Sequence, residues 1–192
     1  MATQGWVQKG QIASNDFQRE VLPNMIASLP AGEFVSVEME GLSQTSTTGV
    51  AVVLDRDCGV DHLIHNPDTG LTTTVAARVS YKTEPAYASF TIGELELTKR
   101  RRELQTQEAI GPYFTIQGTV TQPETGTFVC GAAVATSDLI TFVTDFPGLV
   151  ETRTNWTNGR PFYVVWATDL WDQGFRVDVK IAPDAGRILG CP

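Results

Sequence analysis

The 192-residue chain predicts an all-β, antiparallel sandwich or barrel, and three observations carry that expectation. Short alternating or wholly apolar stretches recur along the chain, turn-forming residues separate them, and helical periodicity is scarce. About eight to ten such strands, without the strand–helix alternation of a parallel sheet, argue for antiparallel pairing.

Taken in order, Phe17–Ile26 is expected to form a short helix, with Pro23 arguing against its continuity. Glu33–Glu40 alternates polar and apolar residues between Gly32 and Gly41, the pattern of a half-buried strand. Gly49–Leu54 is an apolar run after the Thr/Ser-rich loop Thr45–Thr48, suited to a strand buried on both faces. Further strands are expected at Thr72–Tyr81, Ala88–Leu97, Tyr113–Val120, Thr127–Ala135, Leu139–Val143, Leu149–Arg153, Phe162–Thr168 and Phe175–Ile181. Arg101–Ile110 is a second short helical candidate. Turns fall at Asn66–Asp68, Glu84–Pro85, Gly111–Pro112, Gln122–Gly126, Phe146–Gly148 and Asn158–Gly159.

Composition narrows the function classes. With 42% apolar and 19% charged residues, the chain reads as globular, and its length suffices for one sizeable core. Residues 1–30 lack the pattern of a secretory signal, so a non-exported protein is expected. Fourteen basic residues against 22 acidic ones give a net charge of −8, which provides no overall field for nucleic acid. The basic cluster Lys99, Arg100, Arg101 and Arg102 is either a solvated loop or a contact with RNA or another subunit. Cys58, Cys130 and Cys191 form neither a disulfide ladder nor a metal hook, which suits a reducing compartment. The sequon Asn155–Thr157 then carries little weight.

Catalytic patterns are weak. The segment Asp57–His65 holds Cys58, His62 and His65, but Gly59 and Pro67 disfavour the helix that would align two histidines as ligands. Cys130 reads as a core cysteine in a strand, and phosphate-binding glycine motifs are missing. No catalytic, cofactor or metal site is therefore expected. The aromatic residues Phe162, Tyr163, Trp166, Trp171 and Phe175 are expected to serve core and interface, in two antiparallel strands joined through Leu170–Gly174. Phe162–Ala167 is apolar on both faces, so something beyond the core should cover it.

The order of these segments resembles the small coat protein of the comovirus and fabavirus group, plant viruses with picornavirus-like capsids. The resemblance rests on Asn24–Pro30 followed by the strand from Phe34, on His62–Pro67, and on four segments near the end: Asn155–Asn158, Phe162–Thr168, Phe175–Asp184 and Gly186–Gly190. It covers the two ends of the chain and is loose from Thr69 to Val150. The sequence stops at Cys191–Pro192, sooner than comovirus small subunits do, which makes it more fabavirus-like.

The resemblance implies one eight-stranded antiparallel jelly roll spanning residues 1–192, with an N-terminal arm to about residue 30 and a short tail from about residue 183. It implies a non-enzymatic capsid subunit, released from a polyprotein, found in the virion and the host cytoplasm. Its partners would be copies of itself around fivefold axes and a larger two-domain coat protein in a pseudo T=3 shell. Contact with viral RNA would be weak or indirect, with no membrane and no cofactor. Two other readings stand beside it: a carbohydrate-binding β-sandwich with a platform of Tyr163, Trp166 and Trp171, and a small enzyme using Cys58 or Cys130 with a histidine.

Overall fold

A computed structural model describes residues 3–26, 35–38, 59–82, 85–106, 111–155 and 158–191. The expected strand Gly49–Leu54, the loop Thr45–Thr48, Cys58, Glu84, and Trp156 and Thr157 of the sequon lie outside these residues.

The chain begins as a helix, Thr3–Asp16, which continues through a wide turn, Phe17–Val21, into Leu22–Met25. Pro23 accounts for the widening, because it offers no N–H to the carbonyl four residues earlier and its ring crowds that turn. The helical segment nevertheless persists. Its inner residues Phe17, Val21, Leu22 and Met25 are all buried, and that burial outweighs one lost hydrogen bond.

The strands are β1 (Val35–Glu38), β2 (His62–His65), β3 (Thr72–Tyr81), β4 (Ala86–Tyr87), β5 (Ser89–Gly93), β6 (Phe114–Val120), β7 (Phe128–Ala135), β8 (Glu151–Thr154), β9 (Pro161–Trp166), β10 (Val177–Ile181) and β11 (Ile188–Leu189). They form a six-stranded sheet in the order β1-β2-β3-β6-β7-β10, a three-stranded sheet β5-β9-β8 and a short pair β11-β4. The described fold is thus organised around β-sheets, with helices of similar total length packed on them.

Four features depart from the sequence expectation. First, β3 and β6 pair in parallel, so the larger sheet is mixed rather than antiparallel. The helix Glu94–Thr106 lies in the long connection between these strands, and such a crossover is what parallel pairing requires. Second, the expected strand Leu139–Val143 lies in a helix, Thr136–Asp145. Leu139, Ile140, Phe142 and Val143 then fall on one buried stripe, a spacing that a short apolar run does not distinguish from a buried strand. Third, Ala88–Leu97 is strand only through Gly93; Glu94 and Glu96 stand in the first turn of the following helix, where carboxylates complement the helix dipole.

The expected C-terminal hairpin also separates into two sheets. β9 lies between β5 and β8, whereas β10 pairs with β7. The residues between them form a short helix, Ala167–Asp172, with Leu170 buried, in place of a tight turn. Both faces of β9 are covered in part by this chain: Val165 joins the cluster between the sheets, and Trp166 on the other face lies against Gly190 of the tail.

Two clusters fill the core. Between the sheets, Phe90 and Ile92 of β5 and Val165 of β9 pack with Ala132 and Val134 of β7, Val177 of β10 and the 136–145 helix. Gln117 of β6 ties the sheets together, its side-chain carbonyl accepting from the Thr91 N–H at 2.9 Å and the Thr91 hydroxyl at 3.0 Å. On the opposite face of the large sheet, the N-terminal helical segment covers Ile64, Val75, Ile116, Val120 and Phe128.

Candidate functional site

The aromatic residues singled out in the sequence do not share one surface. Tyr163 faces the cluster between the sheets, and so does Phe175, whose ring meets Phe142 and Phe146 edge-on. Trp166 projects from the opposite face of β9, since neighbouring parity along a strand alternates sides. Its indole N–H donates to Glu151 at 2.7 Å, and its ring lies 5.4 Å from that of Tyr87. Bonds from Arg153 and then from this indole hold the Glu151 carboxyl below its usual range. The C-terminal tail runs close by: the Ala88 N–H donates to the Leu189 carbonyl at 2.9 Å, and the Thr168 N–H to the Gly190 carbonyl at 3.2 Å. Phe162 is half-buried, and Trp171 on the short helix is 57% exposed. Much of the cover for β9 therefore comes from this chain. Tyr163, Trp166 and Trp171 form no common platform.

The basic cluster is divided by the helix that carries it. Arg100 points inward at 4% exposure and pairs with Glu103 at 2.6 Å. Gly59 and Gly111 leave room for its guanidinium, because a Cβ on either would stand 2.5 Å or 2.7 Å from a guanidinium nitrogen. Arg101 bonds the Thr144 hydroxyl at 3.1 Å on the neighbouring helix. Of the four, Lys99 is half-buried and Arg102 is exposed.

The two histidines have different surroundings, and of the cysteines Cys130 and Cys191 lie near each other. His62 is buried and stacked on Phe17, with centroids 4.8 Å apart; burial lowers its pKa to about 4. His65 meets the Thr72 hydroxyl at 3.0 Å. Cys130 is buried in β7, and burial pushes its thiol up, which opposes thiolate formation. Among the described residues, no group of three or more His, Cys, Asp or Glu stands close enough to hold a metal ion, and no helix is long and apolar enough to cross a membrane.

The exposed apolar residues lie elsewhere. Leu71 and Tyr113 are 61% and 65% exposed and flank a cleft of about 310 Å³, floored by Ile64 and Phe114. Leu95, Leu104, Leu149, Trp171 and Ile181 are further large apolar side chains facing outward. A second cleft, of about 450 Å³, opens where Arg78, Glu96, Asn155 and Arg160 meet Ile92 and Phe162. Arg78 is engaged there by Glu96 at 3.1 Å. Sequence reasoning missed Leu71 and Tyr113, because a single apolar residue next to a turn has no periodic neighbours to mark it.

No protein-family model, curated protein or solved structure matches the chain.

Proposed function

We propose that this protein is a structural coat-protein subunit of a non-enveloped icosahedral plant RNA virus, the small partner of a larger two-domain coat protein. The observation that carries the reading is the distribution of outward apolar side chains. Leu71 and Tyr113 flank one cleft, Trp171 projects from the short helix, Leu95 and Leu104 from the 94–106 helix, and Ile181 from the end of edge strand β10. A free subunit keeps these wet at a cost, whereas a subunit with several permanent neighbours buries them. The acidic balance fits a surface that meets protein rather than RNA.

The jelly roll belongs to this proposal. Two packed sheets support it. The parallel β3–β6 pair and the helix Thr136–Asp145 in place of a strand depart from it. Copies around fivefold axes would use the outward residues as heterologous contacts, which repeat until the ring closes.

The test is sedimentation of the chain expressed alone and together with the larger coat protein of the same polyprotein. Alone it should sediment as a small species; together the two should sediment as closed shells visible by electron microscopy. A chain that stays monomeric in both preparations overturns the proposal.

A further inference from the structure

The large sheet ends at β10, and among the described residues no strand lies beyond it. The direction of its free backbone groups follows from its pairing with β7. The Ala182 N–H donates to the Val129 carbonyl at 2.9 Å, in step with the β7–β10 register. Pairing alternates along an antiparallel strand, so Asp178 and Lys180 also turn their backbone groups to β7, and Val177, Val179 and Ile181 turn theirs outward. Side chains at this edge are open as well. Ile181 is 45% exposed, Lys180 is exposed and in no ion pair among the described residues, and Asp178 meets a cation only at 4.0 Å, from Arg176.

Two other edges differ. On β5 the Thr91 N–H is taken by Gln117. On β8 every residue is exposed and polar, and Glu151 is already engaged by Arg153 at 2.6 Å and by the Trp166 indole. Of these three edges, β10 is the one that joins outward backbone groups to an outward apolar side chain and to charges of both signs.

We propose that β10 is a self-pairing edge: two copies of the chain join antiparallel through it, across a twofold axis at Val179, and their six-stranded sheets become continuous. A second copy is the occupant because β10 is complementary to itself in one register. Outward residues must face outward residues, so the allowed registers differ by two. Centred on Asp178 or on Lys180, the ladder sets two carboxylates or two ammonium groups opposite each other, which is unfavourable. Centred on Val177 or on Ile181, it leaves most of the strand without a strand partner. Centred on Val179, it pairs the whole of Val177–Ile181. Val179 then exchanges N–H···O bonds with Val179 of the second copy, and Val177 with Ile181. Asp178 stands opposite Lys180 on one face, and Ile181 lies beside Val177 on the other. Lysine on a sheet edge ordinarily discourages pairing, but this register supplies it with a carboxylate.

The contact is isologous, unlike the ring contacts of the coat-protein reading, and does not rest on that reading. A ladder of five residues from each copy is small beside a standard interface, so the dimer forms with rising concentration rather than permanently.

Sedimentation velocity of the full chain with no other protein present, from roughly 10 µM to 1 mM, tests this. The wild-type chain should pass from monomer toward dimer over that range. Asp178→Lys and Lys180→Asp each set like charges opposite each other and should weaken self-association roughly tenfold or more. An equimolar mixture of the two variants should recover it, because each then meets its opposite. In the wild type, NMR-resolved amide exchange at Val177, Val179 and Ile181 should slow with concentration, while Asp178 and Lys180 stay protected throughout. A wild-type chain monomeric over the whole range, association indifferent to both reversals, a mixture no stronger than either variant alone, or concentration-independent exchange at the outward amides would each overturn the proposal. Should the variants fail to fold, the wild-type exchange pattern decides alone. The co-expression test of the coat-protein reading needs the second protein, so the two can fail separately.

Discussion

Individual side chains decide more here than their sequence context suggests. Arg100 sits in a run of four basic residues, yet its guanidinium is held inside by Glu103 between two glycines. Removing one member of such a pair leaves the other partly buried without its charge partner. Arg100→Gln should therefore lower stability by about 3–5 kcal/mol, whereas Arg102→Gln should change it by less than about 0.5 kcal/mol; urea unfolding of both variants checks the contrast. His62 makes a second residue-level prediction. Its lowered pKa means that its neutral form favours folding, a contribution complete above pH 6.5 and lost as the pH falls toward 4. Over that window the unfolding free energy should decline by about 3 kcal/mol, and His62→Phe should flatten the decline, as read from denaturation midpoints at a series of pH values. Neither role was legible in the sequence, because a basic run does not say which member turns inward and a histidine in a loop-like segment does not announce a stacking partner 45 positions earlier (62 − 17).

At the level of elements, strands with strict alternation or turn signals on both sides were legible. Thr72–Tyr81 has the bounds the pattern gives, and the strands at Phe114–Val120, Phe128–Ala135 and Pro161–Trp166 fall within a few residues of theirs. Leu139–Val143 was not, since four apolar residues in five satisfy a buried strand and a helical stripe alike, and only packing on Phe90 and Leu170 in the core decides between them. The pairing of β9 and β10 was not legible either: sequence adjacency favours a hairpin, but β9 pairs with β5 and β8 while β10 pairs with β7 in the other sheet. Gly118 of β6 and Gly131 of β7 are direct cross-strand partners, and the pair gives an element-level prediction. Gly118→Ala places a methyl against Val21 and should destabilise by about 1–3 kcal/mol through overpacking. Adding Val21→Ala should recover part of that loss, so a double-mutant cycle ought to show coupling between two residues that are 97 positions apart (118 − 21).

For the whole molecule, the sequence reading placed the covered surface at the aromatic C-terminal region, and the structure redistributes it. Tyr163 and Phe175 go to the core, Trp166 is bonded to Glu151 beside the tail, and the outward apolar residues lie at Leu71, Tyr113 and Trp171 among others. If RNA is met at all through the basic cluster, Lys99 and Arg102 are the two members placed to meet it; replacing both with Gln should leave folding intact and reduce RNA content in particles, measured by the absorbance ratio of purified shells. The central claim, a subunit that buries its outward apolar side chains against permanent neighbours, is tested most directly by hydroxyl-radical footprinting of Leu71, Tyr113 and Trp171 in the isolated chain and after co-expression with the larger coat protein. The account predicts several-fold slower oxidation at these side chains in the co-expressed material, with the 121–127 turn serving as the reference. Equal oxidation in both samples would contradict it.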